Sequence, residues 1–252
     1  MRLTVLGPHG GELPGCRSTC FLVDGRLALD AGALTQTLDL EALARIDDIL
    51  LTHSHFDHVK DLPMLSDVLV TSRDRPVTIH GNQGCIRTLQ RNLFNDVLWP
   101  DFTAIPSPRR PVFRLKPFKA GASVKVGPYR VRSVPVSHPV ESCGFLISDG
   151  HGSALGMSGD TGPTDRLWQL LNRSPELKAV LVECSFPDEL QPLADLSGHL
   201  TPSTLEQELT KLRRPDVKVL LYHLKPAYLA AIKAQVKRLD VHVLEPGEEL
   251  EL

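Results

Sequence analysis

The stretch Thr52-His53-Ser54-His55-Phe56-Asp57-His58 stands directly after the apolar run Ile49-Leu50-Leu51. A short aliphatic run of this kind predicts a buried strand. Three imidazoles and a carboxylate within six residues cannot all face one way from a helix or a strand. A loop at the C-terminal end of a strand can fan them around a centre. Neutral imidazole and carboxylate are ligands that suit Zn²⁺, Mn²⁺ or Fe²⁺. The spacing therefore predicts two adjacent metals, with His53 and His55 on one and Asp57 and His58 on the other.

Outward from this loop, strand and helix patterns alternate. Leu3 to Leu6, Cys20 to Val23 and Leu27 to Asp30 are aliphatic runs bounded by Gly, Pro and Asp, and they predict strands. Leu38 to Ala44, Leu62 to Leu69 and Ile86 to Phe94 carry apolar residues at helical spacing. The Pro- and Arg-rich stretch Pro106 to Pro117 predicts an extended linker or loop, because each Pro drives its predecessor out of the helical region. Beyond it, strand patterns return at Ser123 to Val126, Tyr129 to Val136, Gly144 to Ile147 and Ala154 to Met157. Helical patterns at Asp165 to Leu171, Thr204 to Leu212 and Tyr228 to Leu239 then interleave with the apolar runs Ala179 to Val182 and Lys218 to Tyr222. The expectation is an α/β protein, one domain over residues 1–252 made of two halves, about 1–117 and 118–252. Two such halves packed face to face give a four-layer αββα sandwich.

Composition narrows the function classes. Hydrophobic residues at 42% supply a core for one large domain. Lys and Arg number 28 against 30 Asp and Glu, so no global positive field draws in nucleic acid or an anionic membrane. No stretch approaches the roughly 18 apolar residues of a membrane span, and MRLTVLGPHGGELPG breaks into Gly and Pro before a signal-peptide core forms. A cytoplasmic protein is expected. The five cysteines are scattered without a CxxC pair, which fits neither a disulfide framework nor a zinc finger. The ten histidines then become the informative count.

The loop His53 to His58 matches the pattern HxHxDH position for position and resembles the metallo-β-lactamase superfamily, whose αββα sandwich is of the kind inferred above. The resemblance implies two divalent ions, Zn²⁺ first with Mn²⁺ or Fe²⁺ as alternatives, and three further ligands. His138, in Val136-Ser137-His138-Pro139, matches the third histidine on the first metal. Asp160, in Ser158-Gly159-Asp160-Thr161, matches the carboxylate that bridges both, and His223, in Leu221-Tyr222-His223, the last histidine on the second. Asp30 resembles an early Asp that orients the loop ligands by hydrogen bonding. Each ligand follows an apolar run, and strand ends are where α/β proteins place ligands.

Such a centre suits hydrolysis of phosphodiesters, lactams, thioesters or lactones alike. What narrows the choice is His199, on the Gly-bearing segment Ser197-Gly198-His199-Leu200. A departing alkoxide is a poor leaving group and needs a proton, so this His is expected to be a general acid, held protonated and oriented by Glu183. The segments Glu183 to Phe186, Gly198-His199 and His223 to Pro226, with Leu93-Phe94-Asn95-Asp96-Val97-Leu98-Trp99-Pro100-Asp101-Phe102, resemble the class II cyclic-nucleotide phosphodiesterases. One departure is Phe56, where that class usually carries Leu, and another is Val59-Lys60-Asp61.

The resemblance implies hydrolysis of 3′,5′-cyclic nucleotides, cAMP or cGMP, to nucleoside 5′-monophosphates. A metal-bridging hydroxide would attack phosphorus, with Asp57 among the catalytic residues and His199 protonating the 3′ oxygen. The expected partner is a small anionic phosphoester, with no membrane and no large nucleic acid, and a homodimer is allowed. Phe94, Trp99 and Phe102 offer stacking surfaces for a purine or serve packing. The alternatives are a tRNA 3′-end endonuclease or other phosphodiesterase of the same superfamily, a di-iron oxidoreductase, and a metal-binding protein without catalysis. His138 and Asp160 stand only 22 positions apart, too close for the long basic arm that tRNA 3′-end endonucleases usually insert there.

Overall fold

Alternation along the strands decides the layering. Successive side chains of a strand face opposite ways, and here both faces are apolar. In Cys20–Val23, Phe21 and Val23 enter one buried cluster while Cys20 and Leu22 enter another, and Ile49 and Leu50 of Asp48–Leu50 divide the same way. Such strands need cover on both faces. The computed structural model, which describes all residues 1–252, supplies it with two seven-stranded sheets.

The first sheet runs Glu249–Glu251, Arg2–Gly7, Cys20–Val23, Leu27–Leu29, Asp48–Leu50, Val77–Asn82 and Phe113–Phe118, the last four parallel. The second runs His242–Val243, Lys218–Tyr222, Leu177–Glu183, Ala154–Met157, Cys143–Ser148, Tyr129–Pro135 and Ser123–Val126, with its first four strands parallel. Between the sheets, Phe21, Leu29 and Leu50 meet Phe145, Met157 and Tyr222 in one cluster, and the rings of Phe21 and Tyr222 stand edge-on at 5.4 Å. Helices Leu62–Ser72 and Gln83–Asn92 cover the outer face of the first sheet. Arg166–Leu171, Pro202–Leu209 and Leu229–Val236 cover that of the second. The four layers are therefore α, β, β and α.

Two features depart from the reading of the sequence. Pro106 to Pro117 is not a linker: Phe113–Phe118 forms an edge strand parallel to Val77–Asn82. An edge accepts Pro117, since a missing N–H there removes no obligatory ladder bond. The last strand, Glu249–Glu251, pairs antiparallel with Arg2–Thr4, so the first sheet takes in both ends of the chain. Phe94 and Phe102 are buried among the core residues of the first outer cluster, and Trp99 lies against them with its indole N–H donating to Ser66. All three serve packing. No helix is long and apolar enough to cross a membrane.

Candidate metal centre

Strand ends from both sheets meet at one rim. Asp30 follows Leu27–Leu29, the loop His53 to His58 follows Asp48–Leu50, and His138, Asp160 and His223 follow Tyr129–Pro135, Ala154–Met157 and Lys218–Tyr222. His53, His55, His138 and Asp160 bring one ligating atom each to within 4.8 Å of one another, and Asp57, His58 and His223 form a second such group. His138 Nε2 lies 3.1 Å from His55 Nδ1, and His53 Nε2 lies 3.6 Å from Asp160 Oδ2. In the second group His58 Nε2 and His223 Nε2 are 3.2 Å apart, and Asp57 Oδ2 is 3.3 Å from His223 Nε2. Asp160 Oδ2 sits 3.2 Å from both His58 Nε2 and His223 Nε2, which places one carboxylate against both groups.

The residues fit divalent ions on three grounds. Ligand atoms at about 2.0–2.1 Å from a tetrahedral Zn²⁺ stand about 3.3 Å from each other, which is the spacing found here. His53 Nε2 and Asp160 Oδ1 are fully buried with no hydrogen-bond partner, an arrangement that buried polar atoms rarely tolerate without an ion or water. The charges agree as well. Burial, with the neighbouring imidazole of His58, pushes His53 well below the ordinary imidazole range, and burial likewise lowers His55 and His138. Burial thus favours the neutral form in all three, the form that donates to a metal. His58 goes the other way: burial opposes its charge, but Asp160 and Asp30 outweigh it and raise the group. The carboxylates there call for a cation.

The far nitrogens of the imidazoles are anchored. Asp30 Oδ2 accepts from His58 Nδ1 at 2.8 Å, while Asp30 Oδ1 accepts from the backbone N–H of Thr52 at 2.8 Å and ties the loop to its strand. His138 Nδ1 donates to the carbonyl of Gly198 at 3.0 Å. Gly198 has φ +67°, and a Cβ there would meet Pro139 Cδ at 2.9 Å, so only glycine brings that carbonyl in. His223, itself at φ +65°, lies under Gly10, where a Cβ would stand 2.6 Å from its Nδ1. Asp30 also has positive φ, at 56°. Two of the four non-glycine residues in that strained region therefore belong to this rim, the kind of place where such strain concentrates.

His199 and Glu183 lie beside the second group. Glu183 Oε1 accepts from His199 Nδ1 at 2.7 Å, and the imidazole stacks on His223 with centroids 5.3 Å apart. Burial opposes a charged His199, but the charge and hydrogen bond of Glu183, with Asp160, hold it above the ordinary imidazole range. Lys225 lies over the Phe186 ring at 5.9 Å. Of the other histidines, His80 pairs with Asp48 and His242 with Glu248, while buried His9 accepts from the N–H of Arg17.

Sequence reading missed Ser185. Its hydroxyl donates to Glu183 Oε2 at 2.7 Å and lies 2.9 Å from His223 Nδ1 and 3.1 Å from His199 Nδ1. One hydroxyl thus joins the Glu183–His199 pair to the far nitrogen of His223 and leaves His223 Nε2 facing Asp57 and Asp160. The only signal was its position two residues past Glu183, just beyond the end of the strand Leu177–Glu183. Ser185→Ala is expected to weaken binding of one of two ions about 10- to 100-fold, the usual effect of removing a partner behind a ligand, with Ser185→Thr restoring it. Metal titration followed by calorimetry checks this, and unchanged affinity in the alanine variant would remove Ser185 from that role.

A family model described as the beta-lactamase superfamily domain matches residues 21–223. The chain is 26% identical over 268 residues to a probable 3′,5′-cyclic-nucleotide phosphodiesterase of Yersinia pestis, covering 96% of this chain and 75% of that one. It is 30% identical over 202 residues to 3′,5′-cyclic-nucleotide phosphodiesterase 1 of Saccharomyces cerevisiae, covering 71% of this chain and 54% of that one. The structure of unliganded yeast PDE1 superposes with a TM-score of 0.82 at 23% identity, over 100% of this chain and 99% of that one.

Proposed function

We propose, because this chain belongs to the metallo-β-lactamase superfamily, that it is a metal-dependent phosphodiesterase hydrolysing 3′,5′-cyclic nucleotides to nucleoside 5′-monophosphates. The observation that carries the reading is the Glu183–His199 pair, 2.7 Å apart and stacked on His223, which sets a proton donor beside the two ligand groups. The names borne by two relatives in sequence, a probable bacterial and a yeast 3′,5′-cyclic-nucleotide phosphodiesterase, support it.

His53, His55 and His138 would hold one ion, Asp57, His58 and His223 the other, and Asp160 both. The imidazole-rich set suits Zn²⁺ above Mn²⁺ or Fe²⁺. Two divalent ions, when bound, supply Lewis-acid polarisation of the phosphoryl oxygens and an acidified water. The remaining chemistry belongs to the chain. His199 passes a proton to the departing 3′ oxygen, and Glu183 keeps that imidazole charged and aimed. Glu183 also accepts from the backbone N–H of Thr161 at 3.0 Å, so the same carboxylate braces the residue after Asp160. Thr52 and Asp30 hold the His58 ring, and Gly198 holds that of His138.

Between His138 and Asp160 the chain forms only the hairpin of Cys143–Ser148 and Ala154–Met157, which favours a small substrate over tRNA. The test is a single panel with the metal-loaded protein: cAMP, cGMP, a linear dinucleotide, a tRNA precursor, a lactam and a thioester. Turnover of the cyclic nucleotides above the other substrates is expected. Preferred cleavage of the tRNA precursor, lactam or thioester would overturn the reading.

A further inference from the structure

A cavity of about 340 Å³ opens beside the metal loop, lined on one side by Ser54, the residue between His53 and His55. The helix Gln83–Asn92 also lines it, as does Glu141, three residues past His138. The same two loops that carry His53, His55 and His138 therefore also shape this cavity. The helix divides sharply. Ile86 and Leu89 are buried against the sheet, while Arg87, Thr88, Arg91 and Asn92 line the cavity together with the buried Cys85.

That face is rich in donors and unfavourable for the helix on its own. Arg87 and Arg91 are four residues apart, and like charges at that spacing destabilise a helix. The fold offers little compensation. Glu141 Oε2 is held by the N–H of Gly84 at 2.9 Å, and its Oε1 lies 3.8 Å from Arg87, too far for a good hydrogen bond. Arg91 forms no ion pair with any carboxylate of the protein, in contrast to Arg87. Two exposed arginines, a threonine and an asparagine lining one cavity offer the donor types that recognise phosphate oxygens.

We propose that this cavity is an anion subsite for a second phosphate of the substrate, distinct from the scissile one, and that the enzyme therefore also cleaves linear nucleotides carrying such a phosphate. The inference rests on the phosphodiesterase reading and extends it, since a cyclic mononucleotide has a single phosphate and leaves the subsite unfilled. The step is the same hydrolysis: water adds to phosphorus, the bond from phosphorus to the 3′ oxygen breaks, and that oxygen leaves protonated. From a 5′-phosphorylated diadenylate (pApA) it yields two molecules of adenosine 5′-monophosphate.

The experiment compares kcat/KM for pApA, ApApA, ApA, cAMP and bis(p-nitrophenyl) phosphate in the metal-loaded protein, in Arg91→Ala and in the double variant Arg87→Ala/Arg91→Ala. The unaltered protein is expected to prefer pApA, ApApA or both over ApA by about tenfold, the scale of two exposed guanidinium contacts, and to lose part of that preference at high salt. The pair also separates a monoester from a diester occupant. The double variant brings the three to within about twofold, while cAMP and the nitrophenyl ester change by no more than that. Equal rates for all three in the unaltered protein, or equal losses on every substrate in the variant, would overturn the subsite. Should no phosphodiester be cleaved, the activity reading fails, and calorimetry decides the subsite separately. Binding of pApA about tenfold weaker in the double variant keeps it, and equal binding rejects it.

Discussion

Asp160→Ala is expected to bring cyclic-nucleotide hydrolysis to background and to lower bound metal well below two ions per chain. Asp160 is almost wholly buried, and its Oδ2 lies 3.2 Å from ligand nitrogens of both His58 and His223 and 3.6 Å from that of His53. No other carboxylate faces both groups so closely. Its removal strips the negative charge that balances a dication and leaves buried imidazoles facing one another, a loss that the protein interior magnifies. Because a buried truncation also leaves a void, Asp160→Asn is the companion variant: it keeps the volume and loses the charge. His55→Ala, on the more open side of the first group, is expected to act in the same direction. Elemental analysis of folded variants checks the prediction, and two ions per chain retained in both Asp160→Asn and His55→Ala would sink the metal assignment.

His199→Ala is expected to keep both ions and yet slow cyclic-nucleotide hydrolysis by about 10²- to 10⁴-fold, the range for a lost general acid. An ester whose leaving group is p-nitrophenolate needs no proton at departure, so bis(p-nitrophenyl) phosphate should lose far less. The expectation follows from position: His199 is bonded to Glu183 on one ring nitrogen and stacked on a ligand of the second group, yet it lies outside the set that meets around His53. His199 also brings a ring nitrogen within 4.8 Å of ligating atoms of Asp160 and His223. Metal content therefore has to be measured beside the rates. Equal losses on both esters would remove His199 from the acid role, and a lost ion would make it a ligand.

Much of the rim was legible because its signals are local. Strand periodicity around Ile49 and the crowding of His53, His55, Asp57 and His58 within six residues lie in one short segment. Glu183 and His199 could be paired by chemistry, since an acid needs a carboxylate to hold its proton. Ser185 could not, because a lone Ser beside a Cys and a Phe carries no spacing signal, and its meaning arises only where three strand ends converge. Pro106 to Pro117 misled for a related reason: proline argues against regular structure locally, whereas a sheet edge accepts it. Arg87 and Arg91 carry no local signal of this kind either, since what relates them to the metal loop is the cavity they line together with Ser54.

By itself, then, the sequence determined the alternation of strands and helices along the chain and the types of ligand available, because both follow from patterns within a few residues. Only the tertiary structure decided which ligands meet. His55 reaches His138 across 83 residues and His58 reaches His223 across 165, distances that no local pattern encodes. Those meetings depend on the register of two sheets and on the left-handed turns at Asp30 and His223. The physical reason is that side-chain periodicity is set by backbone geometry one residue at a time, whereas convergence at a rim is set by packing of the whole sandwich.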